Sequence, residues 1–177
     1  MRIIPVVCLF ILMACRNSES VENKSPDLSK SEWSDEHSID FNQEIHIREE
    51  LDIQIYLEHH KDLNMSKTES GLRYILAPGP YGNTKPAREG EVVTLDVTTM
   101  LLKTGEVCHQ TDSIPLRFVL GRSDVPSGLQ EGVKLMRRMD KARFILPSYL
   151  GGGLLGQDFI PPQAVLIIDA VLLNIES

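Results

Sequence analysis

Three groups of residues in this chain have types or spacings suited to chemistry. Gly151, Gly153 and Gly156, in the stretch PSYLGGGLLGQDFIPP, satisfy the G-x-G-x-x-G pattern after a strand-like run, Lys141–Leu146. Such a turn cradles a pyrophosphate only where a helix begins at its last glycine, so that backbone N–H groups and the helix dipole face the anion. Here Gly156 is followed by Gln-Asp-Phe-Ile and then by Pro161-Pro162, and two consecutive prolines oppose a helix. The nucleotide reading is set aside. His46, His59 and His60 suggest a metal, but adjacent residues point in different directions on a helix and His46 lies more than three turns away. The neighbouring Cys108 and His109 face opposite sides of a strand, so they do not form a nucleophile–base dyad. Cys108 reads as a small apolar filler. The sequence therefore calls for no metal and no cofactor.

The elements that must hold these residues follow from periodicity. Residues 1–15, MRIIPVVCLFILMAC, have one basic residue and an apolar run from Ile3 to Ala14. That run is shorter than the ~20 residues of a membrane-spanning helix and suits a cleaved export signal over 1–14. Leu12-Met13-Ala14-Cys15 resembles a bacterial lipobox, with Cys15 as the acylated new N-terminus. Residues 15–43 are polar and read as a tether. Cys8 leaves with the signal and Cys15 takes the lipid, so Cys108 alone remains and no intrachain disulfide is possible. Losing residues 1–14 removes Arg2, and the net charge of −7 becomes −8. An acidic chain without a basic run excludes the footprint of a nucleic-acid binder.

A helical extension is expected over 44–70, its helix spanning Glu44–His60 with Ile47, Leu51 and Ile55 as the apolar stripe and Tyr56 and Leu57 widening it. From Gly71 the period changes. Leu72–Leu76, Val92–Leu102, Leu116–Leu120, Lys141–Leu146 and Val165–Ile175 read as strands, and Val93, Leu95, Val97 and Leu101 alternate onto one face. Gly128–Met139 has Leu129, Val133, Met136 and Met139 at helical spacing. Antiparallel strands around one short helix make an α+β domain over 71–177.

Several motifs then occur in a telling order: SGLRYIL, EGEVVTLDV, LLKTGEV, LRFVLGRSDVPSGLQEGVKLM, KARFILPSYLG and IPPQAVLIIDAVLLNIE. Together they resemble the FKBP family of peptidyl-prolyl cis-trans isomerases over Gly71 to Glu176. The helix leading into TESGLRY is similar to the approach segment of the family's envelope lipoproteins from Bacteroidetes-like bacteria, including those linked to gliding motility. The resemblance implies a strongly curved antiparallel sheet wrapped around a short helix. It also implies rotation about X–Pro bonds, whose barrier is ~20 kcal/mol. Such chemistry needs a dry cradle for the proline ring and a few donors near the substrate carbonyl, without a nucleophile, acid or metal.

The proline pocket that the resemblance implies departs from the family at most positions. The family's strand tyrosine falls at Thr98, its Phe-Asp pair at Cys108-His109, and a pocket phenylalanine at Leu116. Val125 is kept. The isoleucine whose backbone meets the ligand is Pro126, the tryptophan floor is Leu129, and the phenylalanine of the closing strand is Ile168. The carbonyl-facing tyrosine falls at Gly151, and a frequent histidine at Gly156. Pro126 cannot donate an N–H, Gly151 has no hydroxyl, and each missing ring reduces the apolar area offered to a ligand. Weak or absent isomerase activity is expected, in a protein lipid-anchored to the outer membrane of the cell envelope. Its partners would be exported or outer-membrane proteins with X–Pro bonds. The competing expectation is a non-catalytic binding or structural subunit of an outer-membrane secretion or assembly complex.

Overall fold

A computed structural model describes residues 35–81 and 84–176. Cys15 and the leader lie outside the described residues. The elements run α1 (Asp35–His59), β1 (Ser66–Lys67), β2 (Arg73–Ala77), β3 (Val92–Leu101), β4 (Val107–Gln110), β5 (Leu116–Val119), α2 (Ser127–Val133), β6 (Lys141–Leu146) and β7 (Leu166–Glu176). A 3-10 turn, Ser148–Leu150, follows β6. All strand pairs are antiparallel, in the order β1-β2-β6-β7-β3-β4, and β5 pairs with the other end of the β3 edge that β4 uses. This is the FKBP-like α+β arrangement, an N-terminal helix followed by a curved open sheet around a short helix.

The two faces of the sheet separate by residue parity. On β3, Val93, Leu95 and Val97 are buried on the inner face, while Thr94, Asp96 and Thr98 alternate with them. On β7, Leu166, Ile168, Ala170 and Leu172 belong to the inner core, and Ile167 belongs to a second cluster on the outer face. Strands covered on both faces are apolar at successive positions, as in Leu166-Ile167-Ile168, where Leu150 and Ile160 from the chain between β6 and β7 pack on one side and Ile53 of α1 on the other.

The inner core is completed by α2, whose Leu129 and Val133 are buried together with Met136 just beyond it. Pro126, with φ −45° and ψ 130°, precedes the helix at a position where a missing N–H is tolerated. Gly132 lets the helix approach the sheet, since a Cβ there would lie 2.5 Å from Cε1 of Phe144. The helix is shorter than the expected Gly128–Met139 span. Leu135 and Met136 donate their N–H groups to the carbonyls of Gly132 and Val133, three residues back, so the chain tightens into turns.

The N-terminal helix corrects the sequence reading twice. It already runs from Asp35, the first described residue after the leader, inside the stretch read as tether, and no proline or glycine interrupts the chain from there to His59. Its buried face is also not the expected one. Ile47, Leu51 and Ile55 are 61%, 55% and 46% exposed, whereas Ile45, Glu49 and Ile53 are buried. Ile53 packs with Leu102, Ile145, Val165 and Ile167 on the outer face, joined by Tyr56 and Leu57. Polar anchors fix the rotation of the helix. Glu49 Oε2 accepts from the Ser148 N–H at 3.0 Å, and Glu50 is paired with the buried Arg73 and, at 3.3 Å, with Lys67. A buried donor such as the Ser148 N–H needs a partner, and a charged acceptor makes a strong one.

Candidate functional site

The inner face of the sheet is not wholly filled. At the end of α2 nearest Pro126 lies a cavity of about 190 Å³. Its floor and walls are Val97, Leu116, Val125, Leu129 and Ile168, with Thr99 from β3 and His109 from β4. Two loops close around it, and local hydrogen bonds explain why each stands where it does.

The loop between β5 and α2 is clamped by one side chain. Gln130 Oε1 accepts from the Gly121 N–H at 2.8 Å, and its Nε2 donates to the carbonyls of Ser123 and Val125 at 3.0 and 2.9 Å. Ser123 adds a turn of its own, accepting from the Val119 N–H and donating to the Val119 carbonyl. This bracing sets Asp124, Val125 and Pro126 along one wall.

The loop between β6 and β7 supplies the other wall. Gln157 and Ile160 exchange both backbone hydrogen bonds, at 3.0 and 2.7 Å, leaving Asp158 and Phe159 at the tip of a tight turn. Asp158 takes a left-handed φ of 50°, a conformation that aspartate tolerates better than bulky residues. Gly156 stands at φ 77°, and a Cβ there would lie 2.4 Å from the Ile160 carbonyl oxygen, so the turn admits only glycine. Gln157 Nε2 donates to the Asp124 carbonyl at 3.2 Å, joining the two loops. The turn tip brings the Phe159 ring onto His109, with centroids 4.2 Å apart and planes 11° from parallel.

The structure brings His109, Leu116, Val125, Pro126, Leu129 and Ile168 together around this cavity and leaves four expected positions outside it. Thr98 points to the outer face, where it lines an open trough of about 620 Å³ beside the Arg143–Asp169 ion pair. Strand parity is the reason, since Val97 and Thr99 take the inward positions. Cys108 points back at β3, its thiol donating to the Thr99 carbonyl at 3.4 Å, and burial pushes its pKa up. Gly151 packs under Leu166, whose Cδ1 would lie 3.0 Å from an added Cβ. Gly156 lines a separate, open depression formed by residues 155–162 of the loop itself. The outer trough is the larger of these two hollows, but it is open to solvent and has the charged residues Asp96, Asp112, Lys141 and Arg143 among its apolar ones. The inner cavity is the one enclosed by converging apolar side chains, the usual form of a binding site.

Phe159 is the residue that sequence reasoning missed. Matching the family's pocket position by position finds aromatic residues replaced and none added, yet an aromatic ring stands two residues before Pro161-Pro162 in the overhanging loop. The histidines expected to be solvated lie elsewhere. Nδ1 of His59 and of His60 contacts the carbonyl of Ile55 and of Tyr56, at 2.7 and 2.8 Å, and His46 lies against Tyr149.

Known proteins share this fold. The chain is 36% identical over 118 residues to the FKBP-type peptidyl-prolyl cis-trans isomerase FkpA of Aeromonas hydrophila, covering 66% of this chain and 42% of that protein. FkpA of Buchnera aphidicola is 28% identical over 125 residues, or 70% of this chain and 49% of the relative. The chain thus spans about half the length of these relatives or less. The crystal structure of FkpA from Escherichia coli superimposes with a TM-score of 0.59 at 21% identity, covering 84% of this chain and 76% of that one. The N-terminal domain of FKBP42 from Arabidopsis thaliana gives 0.59 at 17% identity, over 65% and 94%. These two likenesses establish the fold. The family model for FKBP-type peptidyl-prolyl cis-trans isomerases matches residues 83–173, just over half of the chain, and the chain belongs to that family.

Proposed function

We propose that the inner cavity receives the proline ring of a client polypeptide and that the domain catalyses cis–trans rotation of the X–Pro bond with low turnover. The observation that carries this reading is the enclosed apolar cavity walled by the Phe159–His109 stack. An apolar surround disfavours the charge-separated resonance form of the amide and so lowers the cost of twisting it. Phe159 gives the cavity an aromatic wall where Leu116, Leu129 and Ile168 give it an aliphatic one. Hydrogen-bond donors are fewer. Pro126 offers no N–H at the cavity wall, and Gly151 is outside it. Each missing donor removes about 0.5–1.5 kcal/mol, so two can cost about a hundredfold in rate.

A protease-coupled assay on a proline tetrapeptide tests this. The expected result is a measurable acceleration that falls about tenfold in Phe159→Ala, since an aromatic pair is worth about 0.5–1.5 kcal/mol beyond its buried area. Turnover at the uncatalysed rate would sink the catalytic reading. It would support a second one, which the missing Pro126 donor favours: a non-catalytic FKBP-like subunit docked in an outer-membrane secretion or assembly complex. Stoichiometric co-purification with one complex is the matching test.

The clients are exported or outer-membrane proteins with X–Pro bonds, and the protein is a lipoprotein of the cell envelope of the gliding-motility-associated type. The signal-like residues 1–14 and Cys15 support that placement. Palmitate labelling that disappears in Cys15→Ala checks it.

A further inference from the structure

A further hollow, of about 500 Å³, lies in the seam between α1 and the chain that follows β6. From the helix come Asn42, His46 and Glu49; from the other side come Tyr149, Gly153 and Leu154. Glu49 is 4% exposed. Its Oε2 holds the Ser148 N–H, which accounts for the docking of the helix. Its Oε1 is buried and, among the described residues, has no hydrogen-bond partner. A carboxylate has about four acceptor positions, and leaving one oxygen desolvated and unmet is costly. Docking the helix does not require that oxygen, and Glu49 lines the hollow, so a donor that enters and parts the seam locally can meet it.

The surroundings favour a cation. Burial raises the Tyr149 pKa, and the Glu49 and Glu50 carboxylates push the same way, Arg73 opposes, and Glu131 adds to the rise. The field at this seam is therefore net negative. Arg73 gives its Nη2 to Glu50, while its Nη1 is buried and, among the described residues, has no hydrogen-bond partner. The rings of Tyr149 and His46 lie 5.5 Å apart at 51°, and Tyr149 is held in place by donating to the Ser70 carbonyl at 2.8 Å. Aromatic faces suit a planar guanidinium better than a compact ammonium. Leu154, 42% exposed at the rim, suits an aliphatic stem.

We propose that this seam hollow binds the guanidinium of an arginine side chain on a polypeptide, with Glu49 Oε1 as the principal acceptor and Asn42 as the second. A polypeptide source is favoured over free arginine because a free α-carboxylate would enter the same negative field. This site is separate from the prolyl cavity and does not rest on its reading, although one loop runs from Gly153 here to Phe159 there.

Amide chemical shifts of the full chain, titrated with N-acetyl-arginine amide, test it. The expected result is saturable movement of the Ser148, Gly153 and Leu154 amides. N-acetyl-citrulline amide, the neutral isostere, should bind at least tenfold more weakly, and so should free arginine. Glu49→Gln should bring arginine binding down to the citrulline level. His46→Ala, at an exposed position, should weaken it severalfold, and this variant serves if Glu49→Gln does not fold. Equal responses to arginine and citrulline amides would overturn the proposal, as would the lack of any saturable shift at these amides or unchanged affinity in the variants. Free arginine binding as tightly as the amide would overturn the polypeptide source.

Discussion

The two faces of the sheet are built on different terms. The inner face is held by apolar contact almost alone, with Phe144, Met136, Leu95 and Leu172 fully buried around a helix of seven residues. The outer face holds a helix of 25 residues through a smaller apolar cluster centred on Ile53, helped by the Glu49–Ser148 and Glu50–Arg73 contacts. The longer helix has the thinner attachment. Stability follows the apolar area removed from water, so α2 is expected to unfold only with the whole domain and α1 to open more locally.

That contrast is broken hardest at Phe144. Phe144→Ala removes the ring under Gly132 and should cost about 3–5 kcal/mol, the usual range for a buried phenylalanine, with the urea midpoint of the whole domain shifting. Loss confined to α1 would contradict the inner-core role. Ile53→Ala is the counterpart on the outer face. A cost of about 2–3 kcal/mol is expected, read as faster hydrogen exchange in α1 with protection of β3 and β7 retained. Uniform loss of protection would show that both faces fold as one unit.

A smaller and pH-dependent effect belongs to Glu50. Burial raises its carboxyl pKa, but hydrogen bonding and charge from Arg73, followed by Lys67, outweigh this and hold it below the ordinary value. A folded value below the unfolded one makes the stabilisation complete above the unfolded pKa of about 4.3. It is lost as pH falls through the lower folded value. Glu50→Gln should therefore destabilise α1 docking by about 1–2 kcal/mol near neutral pH, discounted for the group's partial exposure. The gap between variant and parent should close below pH 4 in urea titrations. A gap that is constant with pH would mean that the charge is not the cause. The smallest change is expected at Leu51→Glu, within about 0.5 kcal/mol as for ordinary surface positions. A large loss in a denaturation curve would restore the Ile47–Leu51–Ile55 stripe as a packing face.

The domain was legible because its strands carry their own alternation and its turns their own glycines and prolines. Val93, Leu95 and Val97 show which side of β3 is inward, and the same parity, followed one residue further, puts Thr99 rather than Thr98 at the cavity. The resemblance placed a tyrosine equivalent at Thr98, and physical alternation overrides that placement. The helix misled for a related reason. Ile47, Leu51 and Ile55 form the more regular stripe, but periodicity cannot weigh a stripe against the partner surface available. Glu49 reads as solvent-facing until the unpaired Ser148 N–H, 99 positions further along, lies opposite it.

The sequence by itself determined the order and type of the main elements, the family, and the poverty of donors at Pro126 and Gly151, because these are properties of single residues and short periods. Only the tertiary structure decided that Phe159 stacks on His109 and that Glu49 is buried with one oxygen unmet. Both depend on segments far apart in the chain meeting at a given angle, and no local pattern encodes that meeting. The glycines of PSYLGGGLLGQDFIPP divide in the same way. Their number was plain, but the backbone approach to Ile160 showed that Gly156 is what lets the turn carry Phe159 to the cavity.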